Sequence, residues 1–499
     1  MNFEEFKILA KSYNLVPVYE TITADLLTPV MAYLKVREKD KLSFLLESVE
    51  GSANMARYSF IGCDPQKIIY NRGKQVTVFS DTKKEIKGES IFENVRKELK
   101  GYNQAMVNGL PDFKGGLVGY LGYENISLIE KVISFNNKSS ENPDSIFGLY
   151  NTVLAFDHVK HSIILINNVK INKEDKPERQ YEKAKSEISI LKNKLKTELI
   201  LPEEFRINKV LEDSIKEKEF YEQVNNAKKD IEEGEIFQLV LSKRFGAEYS
   251  GDPFNVYRAL RIINPSPYMY YFELSCLEAG LENNFKVIGT SPEDLLKVKN
   301  RKAQVLPIAG TRKRGRSPEE EKKLEEDLLN DPKELAEHTM LVDLGRNDLG
   351  RVCQYGTVKV TEKMKIQKYS HVIHLVSKVE GILADDKDTI DALISCFPAG
   401  TVTGAPKIRA VQLIEESERI TRNVYAGAVG YFDFSGNLDM CIAIRTLFAN
   451  ENKIYWQAGA GIVADSKPEL EAKEIRNKSA AMVSALKYAE GINENSGNR

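Results

Sequence analysis

The chain has 499 residues, 42% of them hydrophobic and 29% charged, with 71 Lys+Arg set against 73 Asp+Glu. A balance this close to neutral leaves no broad basic field for nucleic acid and no acidic tail, so a charged ligand must be met by a local cluster. The cysteines, Cys63, Cys276, Cys353, Cys396 and Cys441, are odd in number and never in C-x-x-C. That excludes a disulfide framework or a zinc site and fits a reducing compartment. The first residues, M-N-F-E-E-F-K, are acidic where a signal peptide is basic. No apolar run reaches the roughly 18 residues of a membrane span. A cytoplasmic protein without nucleic-acid or membrane partners is expected.

Residues 1–165 mix short β-branched and aromatic runs with glycine-rich turns: S-F-L-L-E-S (43–48), Y-S-F-I-G (58–62), K-Q-V-T-V-F (74–79), G-G-L-V-G-Y-L-G-Y (115–123) and S-I-I-L-I (162–166). These read as strands. Residues 171–210 are strongly charged and predict an exposed helix followed by the linker L-P-E-E-F-R-I-N-K. The expected division is therefore 1–170, a charged helix and linker over 171–210, a larger region over 211–490 and a flexible tail over 491–499. Ser214-Ile-Lys-Glu217 reads as a capping box opening a helix that ends near Gly234, with a strand E-I-F-Q-L-V-L-S-K-R-F after it. Residues 317–341 are helical in pattern, broken or restarted at Asp331-Pro332. Late strands are expected at 371–376, 425–434, 438–448 and 453–463, with a hairpin turn at Ser435-Gly436-Asn437. The fold class is α+β, with large sheets forming a sandwich-like core, helices packed outside, and two interleaved regions.

Four features carry chemistry. Glu334 and Glu337 lie three apart, as do Glu471 and Glu474, so each pair shares a helix face. Two such helices meeting would gather four carboxylates, which suit a hard cation such as Mg²⁺; the plainer reading is a solvated acidic face. Arg445 sits in the apolar run D-M-C-I-A-I-R-T-L-F, where strand alternation places it with Cys441, Ala443 and Leu447. There it needs an anion, either a ligand carboxylate or a structural partner. Gly459-Ala460-Gly461 interrupts a strand, and Pro398–Pro406 is a glycine- and threonine-rich approach to a helix. Each suits close approach of a ligand or, more plainly, a bulge or turn. Neither matches a nucleotide-binding fingerprint. His374 falls on the opposite strand face from His371, and a lone strand histidine is more often a core residue than a catalyst.

The order and wording of these segments go further. P-I-A-G-T-R (307–312), E-H-T-M-L-V-D-L-G-R-N-D-L-G-R (337–351), T-G-A-P-K (403–407), Y-A-G-A-V-G-Y (425–431), I-A-I-R (442–445), Q-A-G-A-G-I-V (457–463) and A-K-E-I-R-N-K (472–478) resemble the signature blocks of chorismate-utilising enzymes. The resemblance spans 211–490 almost continuously. The family includes anthranilate, aminodeoxychorismate, isochorismate and salicylate synthases. Aminodeoxychorismate synthases typically carry a nucleophilic lysine where this chain has Ala309, and the water-using members a lysine base where it has Gln238. A lysine of lowered pKa activates water, which glutamine cannot do and ammonia does not need. Both positions imply the anthranilate branch, with aminodeoxychorismate synthase component I or another family member as the alternative.

The resemblance implies the roles that follow. Mg²⁺ is held by Glu337 and Glu474, with Glu334 and Glu471 acting directly or through water. Arg445 and Tyr425 hold the enolpyruvyl carboxylate of chorismate. Gly310, Thr311, Gly459, Ala460 and Gly461 contribute to substrate binding, the glycine strand through backbone N–H groups at the ring carboxylate. His374 is the candidate acid/base, Thr401 or Thr403 meets the leaving hydroxyl, and Lys478 orients Glu474 or meets the substrate. Leu45-Leu46-Glu47-Ser48 and Pro267-Tyr268-Met269 are similar to the tryptophan-binding elements of the branch, which implies L-tryptophan as inhibitor. The chain holds no G-x-C-x-G-x-Q nucleophile motif, so ammonia is expected from a separate glutamine amidotransferase subunit, in a heterotetramer of two of each.

Overall fold

A computed structural model of the chain describes residues 1–48, 57–135, 142–368 and 372–494. The alternating apolar runs form strands, and the strands gather into two twelve-stranded sheets joined by antiparallel ladders. One sheet runs from Leu15–Thr23 at one edge to Arg206–Val210 at the other; the second runs from Ile308–Lys313 to Lys83–Lys87. Both draw on early and late parts of the chain. Ser43–Glu47 pairs with Tyr268–Glu273 in the first sheet, and Gly116–Leu121 pairs with Ala428–Asp433 in the second. The interleaved α+β sandwich expected from the sequence is the fold observed.

The inner faces meet in one apolar layer. Phe44, Tyr270, Val287 and Phe448 of the first sheet pack with Tyr70, Val118, Ile146 and Val429 of the second. Edge-to-face aromatic contacts, such as Phe44 on Tyr150 at 4.7 Å between centroids, fill the gap. The outer face of the first sheet is covered by the helices Pro177–Leu195, Phe254–Ile263 and Pro468–Ala489, among others. Residues 171–210 are thus less exposed than expected. Tyr181, Ala184, Ile188 and Leu195 are buried on one face of the Pro177 helix, and the linker contains a short strand, Arg206–Val210, paired to Gln238–Ser250.

Three local expectations are corrected. The helix after the linker spans Glu217–Glu232 with Lys216 at its N-cap and no side-chain cap. Ser214 does not close a capping box; its Oγ accepts the Arg244 N–H at 2.9 Å, because an adjacent strand edge offers a donor in competition with the helix end. The run 438–448 is not one strand. Leu438–Ile442 belongs to the second sheet and Thr446–Asn450 to the first, so the alternation assumed for Arg445 does not hold. The chain crosses between sheets at 443–445, and Arg445 takes the left-handed φ of +48°. Tyr425 does not begin a strand either; it lies in a turn before Ala428–Asp433. The helix restart at Asp331-Pro332 is as expected, giving Pro318–Asn330 and Pro332–Gly350. Of the strand expected at 371–376, His371 lies outside the described residues; Val372–Ile382 is a strand. Residues 495–499 of the tail also lie outside them.

Candidate active site

A cavity of about 660 Å³ opens where Thr446–Asn450 parts from its neighbour Lys453–Ile462. The two strands pair only as far as Leu447 opposite Trp456. Beyond that point one edge of residues 457–462 has no strand beside it among the described residues, while the other edge pairs with Gln238–Ser250. Ser242 and Val240, which stand opposite Gly459 and Gly461, send their N–H groups away, to Glu418 and Thr403. By antiparallel alternation Gly459 and Gly461 therefore turn their own N–H and C=O groups to the open edge. Ala460 turns back toward Leu241, is fully buried and does not line the cavity. The glycines also admit close neighbours. A Cβ on Gly459 would stand 2.6 Å from the Tyr425 hydroxyl, and one on Gly461 2.4 Å from Gln238 Nε2.

Two helices form the acidic wall. Asp331 caps the Pro332 helix by accepting the N–H groups of Lys333 and Glu334, which fixes the turn that presents Glu334 and Glu337. The Pro468 helix packs on the glycine strand and presents Glu471, Glu474 and Lys478. All four glutamates line the cavity. The surrounding protein, then Glu334 and also Glu474 across the gap, pushes the Glu337 carboxyl above its usual range. Burial, helped by Glu474, does the same to Glu471. Cations stand beside these acids, Lys333 within the cavity lining among them. Arg312 pairs with Asp327, Asp331 and Glu334, the last at 3.2 Å. Lys478 Nζ stands 2.7 Å from Glu474 and donates to the Gly459 carbonyl at 3.0 Å. The carboxylates converge, yet among the described residues no three His, Cys, Asp or Glu side chains are gathered into a metal-holding group.

Arg445 and Glu293 form the opposite side. The Arg445 side chain is recessed in the wall and, among the described residues, enters no ion pair; Glu293 is the acid whose charge it senses. Glu293 is pushed up to about 7 by burial, against the opposing pull of Thr401, Lys478 and Arg445. Thr401 stands beside this carboxyl, although its buried Oγ is not in hydrogen-bonding geometry with it. Thr403 is fully buried, donates to the Ala399 carbonyl and stays out of the cavity.

His374 stands on Val372–Ile382, where a register shift between Ala309 and Thr311 sets Gly310 as a bulge at φ +69°. Its Nδ1 donates to the Gly310 carbonyl at 2.9 Å and stands 3.1 Å from the Thr311 hydroxyl. That donation makes Nε2 the basic nitrogen of the neutral ring. Burial and, less strongly, Arg445 lower its pKa, so the ring is neutral at pH 7.

The structure thus collects His374, Thr401, Lys478, Gly310, Thr311, Tyr425, Arg445, Gly459, Gly461 and all four glutamates in one cavity, and leaves out Ala460. Glu293 was not singled out in the sequence. Its only trace there is Ser-Pro-Glu-Asp directly after an apolar strand, one acid among 73.

Glu47 and Ser48 lie against Tyr268 and Met269, with Met269 opposite Glu47 across the ladder. The Glu47 carboxylate accepts from the Tyr257 hydroxyl at 2.5 Å and pairs with Arg261 at 2.7 Å. Ser48 Oγ is buried and has no hydrogen-bond partner among the described residues, whereas Pro267 lines the main cavity.

A model of the chorismate binding enzymes matches residues 44–484. The chain belongs to the chorismate binding enzyme family. Its relatives agree along their whole length. Anthranilate synthase component 1 of Acetivibrio thermocellus is 43% identical over 97% of this chain and 98% of its own. The same-named protein of Aquifex aeolicus is 43% identical over 99% of both. Among solved structures, anthranilate synthase component I from Streptococcus pneumoniae TIGR4 superposes with a TM-score of 0.73 at 35% identity, covering 93% of this chain and 99% of that one. No helix of the described residues is long and apolar enough to cross a membrane.

Proposed function

We propose that the chain converts chorismate and ammonia to anthranilate, pyruvate and water, the first committed step toward tryptophan. The observation that carries this reading is the unpaired, recessed Arg445 facing an acidic wall across one cavity. A cation left so needs an anion, and a guanidinium fits a carboxylate in two-point contact. Chorismate has two carboxylates. Arg445 and the Tyr425 hydroxyl suit the enolpyruvyl one. The outward N–H groups of Gly459 and Gly461 suit the ring carboxylate, which brings it beside the acidic wall. Four acids facing a dianion need a counter-charge, and Glu337 and Glu474, with Glu334 and Glu471, have the oxygen donors for Mg²⁺. Bound there, the ion would offset the ligand's charge and stabilise charge that develops on the ring.

The proton roles follow from the two environments. Glu293, pushed up to about 7, keeps a protonated fraction at neutral pH and stands among Thr401, Lys478 and Arg445. It protonates the ring hydroxyl as ammonia adds beside the ring carboxylate, and that oxygen leaves as water. His374 is neutral and takes the ring proton when pyruvate is released. Ala309 and Gln238 both line the cavity. They supply neither a nucleophilic lysine nor a base for water, so ammonia, itself a nucleophile, selects the reaction. The names of the relatives, component 1, support a second subunit that supplies it, here a glutamine amidotransferase in an assembly of two of each.

The test is anthranilate fluorescence from purified protein with chorismate, Mg²⁺ and ammonium. Folded, chorismate-consuming protein that retains the enolpyruvyl group on an amino product would instead be an aminodeoxychorismate synthase. Tryptophan is proposed to bind at Glu47, Ser48, Pro267, Tyr268 and Met269, where the buried Ser48 hydroxyl has no hydrogen-bond partner among the described residues. Ser48→Ala should relieve inhibition by L-tryptophan while uninhibited turnover stays close to parental. Superimposable inhibition curves for variant and parent would remove the pocket.

A further inference from the structure

Beneath the glycine strand lies an ion pair that touches the cavity nowhere itself. Arg422 and Glu418 are buried to 1% and 4% side-chain exposure and meet at 2.6 Å. Arg422 Nε donates to Glu418 at 2.8 Å, Nη1 to the Val402 carbonyl at 2.7 Å and Nη2 to the Val240 carbonyl at 2.8 Å. Its guanidinium stands over the rings of Tyr123, at 4.8 Å, and Tyr425, at 5.6 Å. Its backbone N–H and that of Asn423 are both held by the Glu124 carboxylate, at 2.7 and 2.9 Å.

Each arm reaches the cavity lining. Val402 follows Thr401, which borders Glu293. Tyr425 stacks on the guanidinium and reaches over Gly459. The third arm runs through hydroxyl polarity. Glu418 is acceptor-only, so the Ser242 hydroxyl at 2.6 Å donates to it. Ser242 Oγ then accepts from Gln457 Nε2 at 2.7 Å. That fixes the Gln457 amide with its Oε1 turned the other way, and Oε1 is buried, has no hydrogen-bond partner among the described residues and belongs to a residue lining the cavity.

A buried ion pair is a poor source of stability, since its desolvation rivals its attraction. Orientation is what this one supplies. We propose that the Arg422–Glu418 pair positions Thr401, Tyr425 and Gln457 and thereby sets the rate at which the cavity turns over chorismate. The proposal rests on the reading of the cavity as the site of chorismate amination.

Two variants of the full chain test it, each measured for turnover of chorismate with ammonium, for Mg²⁺ binding by calorimetry and for melting temperature. Ser242→Ala removes the hydroxyl that joins Glu418 to Gln457 and leaves the Ser242 N–H on Glu418 in place. It should lower kcat/KM about tenfold, the scale of one lost hydrogen bond to a charged partner, with parental melting and Mg²⁺ affinity. Arg422→Lys keeps the charge but loses the planar fork and the ring stacking. It should lower kcat about 100-fold, as displacements near 1 Å do, in protein that still binds Mg²⁺. Parental turnover per mole of Mg²⁺-binding protein in both variants would overturn the proposal. So would losses that only track the folded fraction. Parent protein inactive on chorismate would sink the reading of the cavity and the pair's role together; an active parent with parental variants would sink the pair alone.

Discussion

Glu293→Gln should lower turnover roughly 10²–10⁴-fold, the range that general acid catalysis contributes. The substitution keeps the shape of the side chain and removes its transferable proton. Burial holds this carboxyl at about 7, and its cationic neighbours do not fully reverse the effect. The active form is the protonated one. Turnover by the parent should therefore fall as pH rises through about 7, and that alkaline limb should be missing from the residual activity of the variant. A pH profile of kcat measures both. A variant that retains the parental limb would mean that another group titrates there and that Glu293 donates no proton.

The second large effect is on the cation. Glu474→Gln should weaken Mg²⁺ binding, read by calorimetric titration, by at least the 10–100-fold that even a partner one step removed from a metal costs on average. Turnover at fixed Mg²⁺ should fall accordingly. Folding should hardly change. The Glu474 side chain is 48% exposed and paired only with an equally exposed Lys478, and such pairs contribute about 0–1 kcal/mol. Glu337→Gln should behave alike. Activity and Mg²⁺ affinity equal to the parent in both variants would remove these two glutamates from the site.

How much of this was legible in the sequence depends on range. The glutamate pairs were legible because an i,i+3 relation on a helix is local, and the glycine strand because glycine inside a strand needs a reason. The sandwich followed from many short alternating runs. Arg445 was harder. Residues 440–444 run apolar without a break up to the crossing, so the pattern carries no mark where the chain leaves the first of its two sheets. Ala460 repeats the small-residue pattern of its neighbours, and only strand pairing shows that its backbone faces the other way. Ser214 and Glu217 have capping-box spacing, yet a tertiary strand edge claims the serine. Glu418 and Arg422 look like a solvated i,i+4 pair at a helix end and are among the most buried charges in the chain. Glu293 is the clearest case: nothing local separates it from other acids, and its chemistry comes from what folds around it.

The crossing at 443–445 has a mechanical meaning. Arg445, the residue proposed to hold the substrate's anion, is the joint between the two sheets, with Ile442 anchored in one and Thr446 in the other. A substrate with one carboxylate on Arg445 and the other on the glycine strand would act as a rivet through that joint. Substrate should then harden the whole sandwich rather than one loop. At 100 times its Kd the ligand should add about 2.7 kcal/mol to unfolding, and slowed amide exchange should spread into strands of both sheets on either side of Arg445.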